Sequence, residues 1–346
     1  MEKTTTNRPI QIKTLLKENK VKDFQIKYVL DAVFKRGILD FEKITTIPKE
    51  IRSLLKENIV PFSLTTVSRL KGQQTEKVLF KTVDGNPVES VLMRYLKKRE
   101  SRYSLCVSVQ SGCAMGCQFC ATGKMGFIKN LTVDEIVDQM LYFKNLGKEV
   151  DTISFMGMGE PFLNLENVLK SIDILTDPDL VGLSPKRINV STVGIIPGIK
   201  ALTKTHPRVN LAFSLHSPLN PQRRSLMPVS KIHAIEDVFV ALDEHIWKTH
   251  KKVFISYILL NGVNNSDQHA KTLVQLIKNR GKYAYLYHVN LIRCHQTGGS
   301  FEAPSPQSVA SFMNVLTVNG IACSLRKSFG EDIGAACGQL GLAAKA

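Results

Sequence analysis

Between Cys113 and Cys120 the chain reads Cys113-Ala114-Met115-Gly116-Cys117-Gln118-Phe119-Cys120. These cysteines, at C-x3-C-x2-C spacing, follow directly on a strand-like run from Ser104 to Gln110. A tight loop with that spacing can aim three thiolates at one cubane iron–sulfur cluster. Three ligands for four irons leave one iron open to a small molecule, much as a catalytic zinc keeps an open position. The competing reading is a structural zinc knot with Cys106 or a distant cysteine as fourth ligand. A zinc site normally shows a second C-x-x-C or paired histidines, so the cluster is preferred.

Other residues suited to chemistry stand at the ends of strand-like runs. Gly157-Met158-Gly159-Glu160-Pro161 offers glycines that let backbone approach a ligand and a carboxylate that can accept hydrogen bonds from an ammonium group. Ser191-Thr192-Val193-Gly194 and Ser214-Leu215-His216-Ser217 follow the next two runs. Singly, such glycines are often turns, and a lone histidine such as His216 is often structural. Polar clusters at successive strand ends beside a cysteine loop favour a binding site. Near the C-terminus Cys337 is flanked by small residues, Ala335-Ala336-Cys337-Gly338. That suits a mobile loop delivering a thiol into a pocket, or else a small buried hydrophobe, the role assigned to Cys294 and Cys323. Glu89 stands between apolar neighbours in a strand, as a solvent-side residue or as a general base pointing into a site.

The elements that must position these groups follow from periodicity. Residues from Ile10 to Ile59 read as a small helical unit, with Phe24, Ile26, Val29, Leu30, Val33 and Phe34 expected on one buried face. This unit would be an RNA-docking module or a packing cap. Lys77–Lys81, the turn Asp84-Gly85-Asn86 and Val88–Met93 predict a hairpin. The basic stretch Lys97 to Arg102 reads as a linker, or as a phosphate-binding segment if it lies beside a site. From Ser104 onward strands alternate with helices: Leu105–Gln110, Thr152–Met158, Arg187–Ser191, Val209–Leu215, Val253–Leu260 and Ala284–Ile292. Thr132 and Glu135 form a capping box, and another helix starts near Ser266. A helix from Pro306 to Asn319 and a strand Ala322–Lys327 lead to the tail. This β-α alternation predicts an α/β fold, a partial (β/α)6 barrel with chemistry at the C-terminal ends of its strands. Cys106, in the first of these strands, can then reach the barrel interior. The expected divisions are a helical accessory domain (1–60), a hairpin region (61–98), a core (99–330) and a tail (331–346).

The formal net charge of +16 over 346 residues calls for a polyanionic partner, nucleic acid before membrane. No apolar run is long enough to span a bilayer, and Met1 to Thr6 holds no apolar signal core, so a cytoplasmic protein is expected. Seven cysteines, unevenly clustered, argue for reduced working thiols rather than a disulfide framework.

Taken together, these residues resemble the radical SAM 23S ribosomal RNA adenine methyltransferases, the RlmN/Cfr family. The cysteine spacing is the signature of radical SAM enzymes, whose open iron chelates the amino and carboxylate groups of S-adenosylmethionine (SAM). The resemblance spans the helical unit to Gln339-Leu340. It rests on Gln110-Ser111-Gly112-Cys113 with the other cluster cysteines, Phe155-Met156-Gly157-Met158-Gly159-Glu160, Ser214-Leu215-His216 and Asp332 to Leu340. One branch methylates C2 of an adenine in the peptidyl-transferase centre, the Cfr branch C8 of the same base. Cys120-Ala121-Thr122-Gly123, Leu131 to Ile136, Ile195-Ile196-Pro197 and Leu286 to Arg293 look more Cfr-like, so C8 is the expected carbon and C2 the alternative. The family usually shows a SAM-binding Asn where this chain has His295.

The resemblance implies the roles. Cys113, Cys117 and Cys120 would hold a 4Fe-4S cluster. Gly159, Glu160, Ser191, Ser214, Leu215, His216 and, in altered form, His295 would bind SAM, two molecules being used per turnover. Cys337 would become S-methylcysteine, Cys106 would resolve an RNA adduct by forming a disulfide with it, and Glu89 would accept the ring proton. It also implies 23S rRNA as partner, an electron donor such as flavodoxin, no membrane and a monomer. A radical SAM enzyme acting on a small molecule or protein, and a zinc-stabilised RNA-binding protein, remain as rivals.

Overall fold

The computed structural model describes residues 7–96, 101–228, 232–297 and 299–341. The linker reading at Lys97 to Glu100, the Met1 to Thr6 segment and the tail beyond Gly341 lie outside the described residues.

The chain opens with α1 (Arg8–Glu18), α2 (Asp23–Leu30) and α3 (Lys49–Asn58). Ile26, Val29, Leu30, Val33 and Phe34 are buried as expected, but Phe24 is 53% exposed. The reason is angular: two residues along a helix is about 200°, which sets Phe24 opposite Ile26. It packs edge-on against Tyr28 on the outer face instead. The apolar faces of these helices belong to the same contiguous core as the main sheet.

Then come β1 (Leu64–Lys71), β2 (Thr75–Thr82) and β3 (Pro87–Tyr95), paired antiparallel around the expected turn. This hairpin is continuous with the core strands, since β3 pairs antiparallel with β4 (Arg102–Val107). A separate two-stranded ribbon, β5 (Gln110–Gly112) and β6 (Phe127–Asn130), brackets the cysteine loop and the short α4 (Ala121–Met125). The predicted first strand thus ends early, at Val107, and Gln110 belongs to the ribbon. The β/α alternation continues with α5 (Val133–Asn145), β7 (Val150–Phe155), α6 (Leu165–Thr176), β8 (Ile188–Thr192), α7 (Ile196–Thr205), β9 (Asn210–Ser214), α8 (Asn220–Leu226) and α9 (Ile235–Thr249). It closes with β10 (Val253–Leu259), α10 (Asp267–Lys278), β11 (Tyr287–Arg293), α11 (Pro306–Val318) and β12 (Cys323–Leu325).

From β4 through β7 to β12 every neighbouring pair is parallel. Side chains from β4, β7, β8, β9, β10 and β11 line one interior cavity with Arg326 just after β12, which requires the sheet to curl into a partial barrel. Local sequence signals set the helix starts. Thr132 Oγ1 accepts from Glu135 N while Glu135 returns a bond to Thr132 N, and Ser266 caps α10. No helix among the described residues is long and apolar enough to cross a membrane.

The helical unit is fastened by a buried ion pair. Arg8 is 1% exposed and Asp138 0%. Arg8 Nη1 and Nη2 donate to the two Asp138 oxygens at 2.5 and 2.8 Å, and Ser63 N and Oγ donate to Oδ2 at 2.6 Å each. Removing one partner strands the other charge in the core. Arg8→Met should therefore cost about 3–5 kcal/mol of unfolding free energy, read by denaturant titration, whereas a shift below about 1 kcal/mol would show the pair to be solvated.

Candidate active site

The cysteine loop sits at the C-terminal end of β4. Gly112 has φ +70°, and a Cβ there would collide with Gly126 O, the carbonyl that accepts from Cys113 N at 2.8 Å. The loop therefore needs glycine at its entry. Leu226 and Met227 pack against Cys117 and Phe119, and Gln118 N donates to Leu226 O at 3.1 Å. Burial pushes the Cys113 thiol up to about 12, and raises Cys117 and Cys120 as well. Backbone N–H groups of Met115, Gly123 and Thr122 act the other way on Cys113 and Cys120. Such thiols stay protonated until a metal centre displaces the proton, and N–H groups aimed at sulfur then stabilise the thiolates. No three Cys, His, Asp or Glu side chains among the described residues converge as one metal ion requires. A zinc knot needs that convergence, whereas thiolates on separate irons of a cubane do not. The three cysteines thus fit a cluster better than a single ion.

The residues at the strand ends gather beside this loop, with different contacts from those expected. Gly157 lines the cysteine cavity, and both Gly157 and Gly159 also sit tightly against neighbouring chain. A Cβ on Gly157 would lie 2.7 Å from Val107 O, and one on Gly159 (φ +98°) would lie 2.5 Å from Gln110 Cβ. The carboxylate of Glu160 is occupied by main-chain donors, Val193 N at 2.9 Å and Phe162 N at 3.1 Å. Its burial raises the carboxyl to about 7, with those bonds and the Thr192 hydroxyl opposing. Ser191 Oγ and Ser214 Oγ lie 3.2 Å apart. Leu215 is fully buried and its N–H donates to Ser256 O. His216 has φ +59° and its Nδ1 accepts from Ile258 N at 3.0 Å, which assigns the ring proton to Nε2. Burial, aided by Arg223, holds its pKa down to about 3, so the ring is a neutral donor. His295 is buried, with Nε2 3.2 Å from Ser328 Oγ and Nδ1 3.6 Å from Glu331 Oε1.

A cavity of about 170 Å³ brings Cys106 and Cys337 together with Cys120 of the loop, and His216 and His295 line it as well. Burial pushes the Cys106 thiol up to about 12, with the Arg326 charge opposing. Cys337 is exposed at the rim. Its segment is docked rather than loose. Gly338 O accepts from Ala121 N at 2.8 Å and Leu340 O from Thr122 Oγ1 at 2.6 Å. Gly334 O accepts from Lys77 Nζ at 3.1 Å, and Gly341 N donates to Glu89 Oε2 at 2.6 Å. Glu89 is therefore no solvent-side residue; it is 0% exposed and lies 3.4 Å from Lys77 Nζ.

The radical SAM superfamily pattern matches residues 107–274. The ribosomal RNA large subunit methyltransferase Cfr of Lachnoclostridium phytofermentans is 45% identical over 95% of this chain and 96% of its own length. That of Bacillus velezensis is 46% identical over 96% of each, and that of Staphylococcus aureus 45% over 95% of each. This chain belongs to the Cfr-type radical SAM rRNA methyltransferases. A crystal structure of a radical SAM methyltransferase from Sphaerobacter thermophilus superposes with a TM-score of 0.89 at 35% identity, over 96% of this chain and 97% of that one. Membership carries the fold, an enzyme, and a site built for a 4Fe-4S cluster and SAM.

Two residues of this Cfr-type site escaped sequence reading. Lys77 read as an ordinary strand residue. It lies diagonally across from Glu89, because Leu79 pairs with Glu89 and Lys77 with Val91, so a lysine two places from the Glu89 partner was the available signal. Arg223 is 0% exposed and donates to Leu215 O, Val193 O and Ser214 O at 3.0, 2.7 and 3.2 Å. It gathers the carbonyls after β8 and β9, and nothing in the local pattern of α8 announces that.

Proposed function

We propose that this protein methylates C8 of an adenine in the peptidyl-transferase centre of 23S rRNA, through a methyl group carried on Cys337, and that this confers resistance to antibiotics binding there. The observation that carries the reading is the single cavity shared by Cys106, Cys337 and Cys120. Adenine C8 is electron-poor and offers no lone pair to an ordinary methyl donor, so radical chemistry and a covalent carrier suit it. The sulfur of Cys337 takes a methyl group from one SAM, leaving S-adenosylhomocysteine. A cluster on Cys113, Cys117 and Cys120, when bound, supplies the one-electron cleavage of a second SAM that activates this methyl for addition to the base. His216, Ser191 and Ser214 orient SAM beside the loop, with Gly159, Glu160 and Leu215 shaping the pocket and His295 standing at its wall. Glu89 accepts the ring proton. The Cys106 thiolate attacks the Cys337 sulfur, forming the disulfide as the S–CH2 bond breaks and its electron pair leaves with the carbon, which is protonated to the new methyl group. The net charge of +16 serves the RNA, whose target base must leave its stack. A cytoplasmic location and a flavodoxin-like reductant complete the reading.

The test is mass spectrometry of 23S rRNA from cells lacking both C2 and C8 activities, with and without this chain. The expected product is 8-methyladenosine, identified against standards. Finding 2-methyladenosine alone would make this the C2 enzyme and would end the resistance reading. No methyl on either carbon, with the cluster present, would favour a small-molecule substrate.

A further inference from the structure

The barrel holds a second cavity, of about 390 Å³, below the cysteine cavity. Met156 and Arg326 line both. The size falls within the range of ligand pockets, roughly 300–1,000 Å³. Its wall has a consistent chemistry. Tyr95 and Tyr103 present rings, Asn189 and Asn290 present carboxamides, and Arg102 and Arg326 present guanidinium groups. No carboxylate among the described residues lines it.

The cavity reaches the surface without passing the cysteine loop. Tyr95 and Arg102 are exposed, and they pair across the β3–β4 edge. Tyr95 touches Phe329, which follows β12, with ring centroids 4.7 Å apart. This contact marks the gap between the two ends of the open barrel.

Arg326 stands at the neck between the cavities. Its main-chain N–H donates to Leu291 O at 2.8 Å, which fixes it at the end of β12. Its guanidinium donates to the thioether of Met156 at 3.5 Å. Among the described residues no carboxylate lies within ion-pair distance of it. A half-buried guanidinium with only a thioether acceptor is prepared for an incoming anion, for which its planar fork suits phosphate. Asn189 Nδ2 is similarly underused, with its acceptors Ile153 O and Ser154 Oγ both at 3.5 Å. Rings for stacking, amides for base edges and an arginine for phosphate are the groups that recognise unstacked RNA.

We propose that this lumen is a ribonucleotide subsite. It takes the nucleotide adjoining the target base in the RNA chain, its phosphate on Arg326 and its base against Tyr95 and Tyr103, while the target base occupies the cysteine cavity. This rests on the rRNA reading above.

The test uses the full chain with its cluster reconstituted, and a 23S rRNA fragment carrying the target loop. Affinity is measured by fluorescence anisotropy at several salt concentrations, beside steady-state turnover. Arg326→Gln should weaken binding roughly tenfold and lower the salt slope by about one, with Arg326→Lys recovering part of both. Ala212 also lines the lumen, which no cysteine lines, and Ala212→Leu would narrow it. That variant should raise KM several-fold with kcat little changed. Methylation of Cys337 measured without RNA checks the fold and SAM site of each variant.

Unchanged affinity and salt slope in Arg326→Gln would overturn the subsite. So would slowed release of a covalent adduct at unchanged affinity, since Arg326 would then serve only Cys106. Wild-type kinetics in Ala212→Leu would show the lumen to be unused by RNA. A wild-type chain that neither binds nor methylates the fragment would overturn the rRNA reading itself, and that failure is visible before any variant is made.

Discussion

Cys337→Ala should lower RNA methylation by more than roughly a thousandfold while cleavage of SAM continues, as removing a covalent nucleophile does elsewhere. The substitution is local. The hydrogen bonds that dock the segment use main-chain atoms of Gly334, Gly338, Leu340 and Gly341 and the Gln339 carboxamide, which donates to Gln296 O at 3.0 Å, and none uses the thiol. Ala335 and Ala336 stay buried just before the change. The segment should therefore keep its place over the cavity, and the cluster loop, hydrogen-bonded to it through Ala121 N and Thr122 Oγ1, should keep its ligands. Two readouts separate chemistry from collapse: 5′-deoxyadenosine formed per protein, and methyl groups transferred to RNA. Undiminished methylation would rule out the methylcysteine route. Loss of both products would mean that the segment had come away from the cavity.

What the sequence revealed follows from how local each signal was. The cysteine loop is legible because three ligands lie within one turn of chain, and their spacing is the chemistry. The Thr132–Glu135 box and the Ser266 cap are legible for the same reason: donor and acceptor are three residues apart or fewer. The parallel sheet is legible from the regular alternation of apolar runs with helix-length segments. Phe24 was misplaced because a run of apolar residues across a helix turn does not say which of them faces the core. The glycines at 157 and 159 were read as clearing space for a ligand; Gly157 does line the cysteine cavity, but both also make room for Val107 and Gln110, neighbours brought in by β4 and the β5 ribbon, which no local pattern shows. The docking of the Cys337 segment depends on contacts as distant as Lys77 to Gly334 and Glu89 to Gly341. No local pattern records a partner more than 250 positions away.

That docking gives Glu89 two tasks. One oxygen holds Gly341, and the other faces Lys77 without a hydrogen bond of good geometry. In the proposed mechanism the oxygen left over would be the one to take a proton, although Glu89 lies behind the cavity wall rather than lining it. The lysine that neutralises the carboxylate also grips Gly334, so the carrier cysteine lies between two points fixed by the same buried pair. If Glu89 and Cys337 play the proposed roles, proton acceptance and the position of the methyl carrier are coupled through β2 and β3.

Cys106→Ala should give the second large effect, a covalent RNA–protein adduct that forms once per protein and then persists. Cys106 lies in β4, paired with Val91 on one side and Ser154 on the other, and an alanine fits that strand position. Nothing needed to methylate Cys337 or to hold the cluster is removed. Only the thiol that lines the cavity with Cys337 is lost. On an RNA gel the variant should appear as a slow band sensitive to protease, with methylated free RNA below one per protein. The wild-type chain should show release that quickens with pH above neutrality. Burial holds the Cys106 thiol up at about 12, so the reactive thiolate is scarce and its share grows roughly tenfold per pH unit. Arg326 opposes that burial, so Arg326→Gln should slow release if its charge acts on Cys106 during turnover. Normal multiple turnover by Cys106→Ala would remove Cys106 from the mechanism and leave its place in the cavity to packing alone.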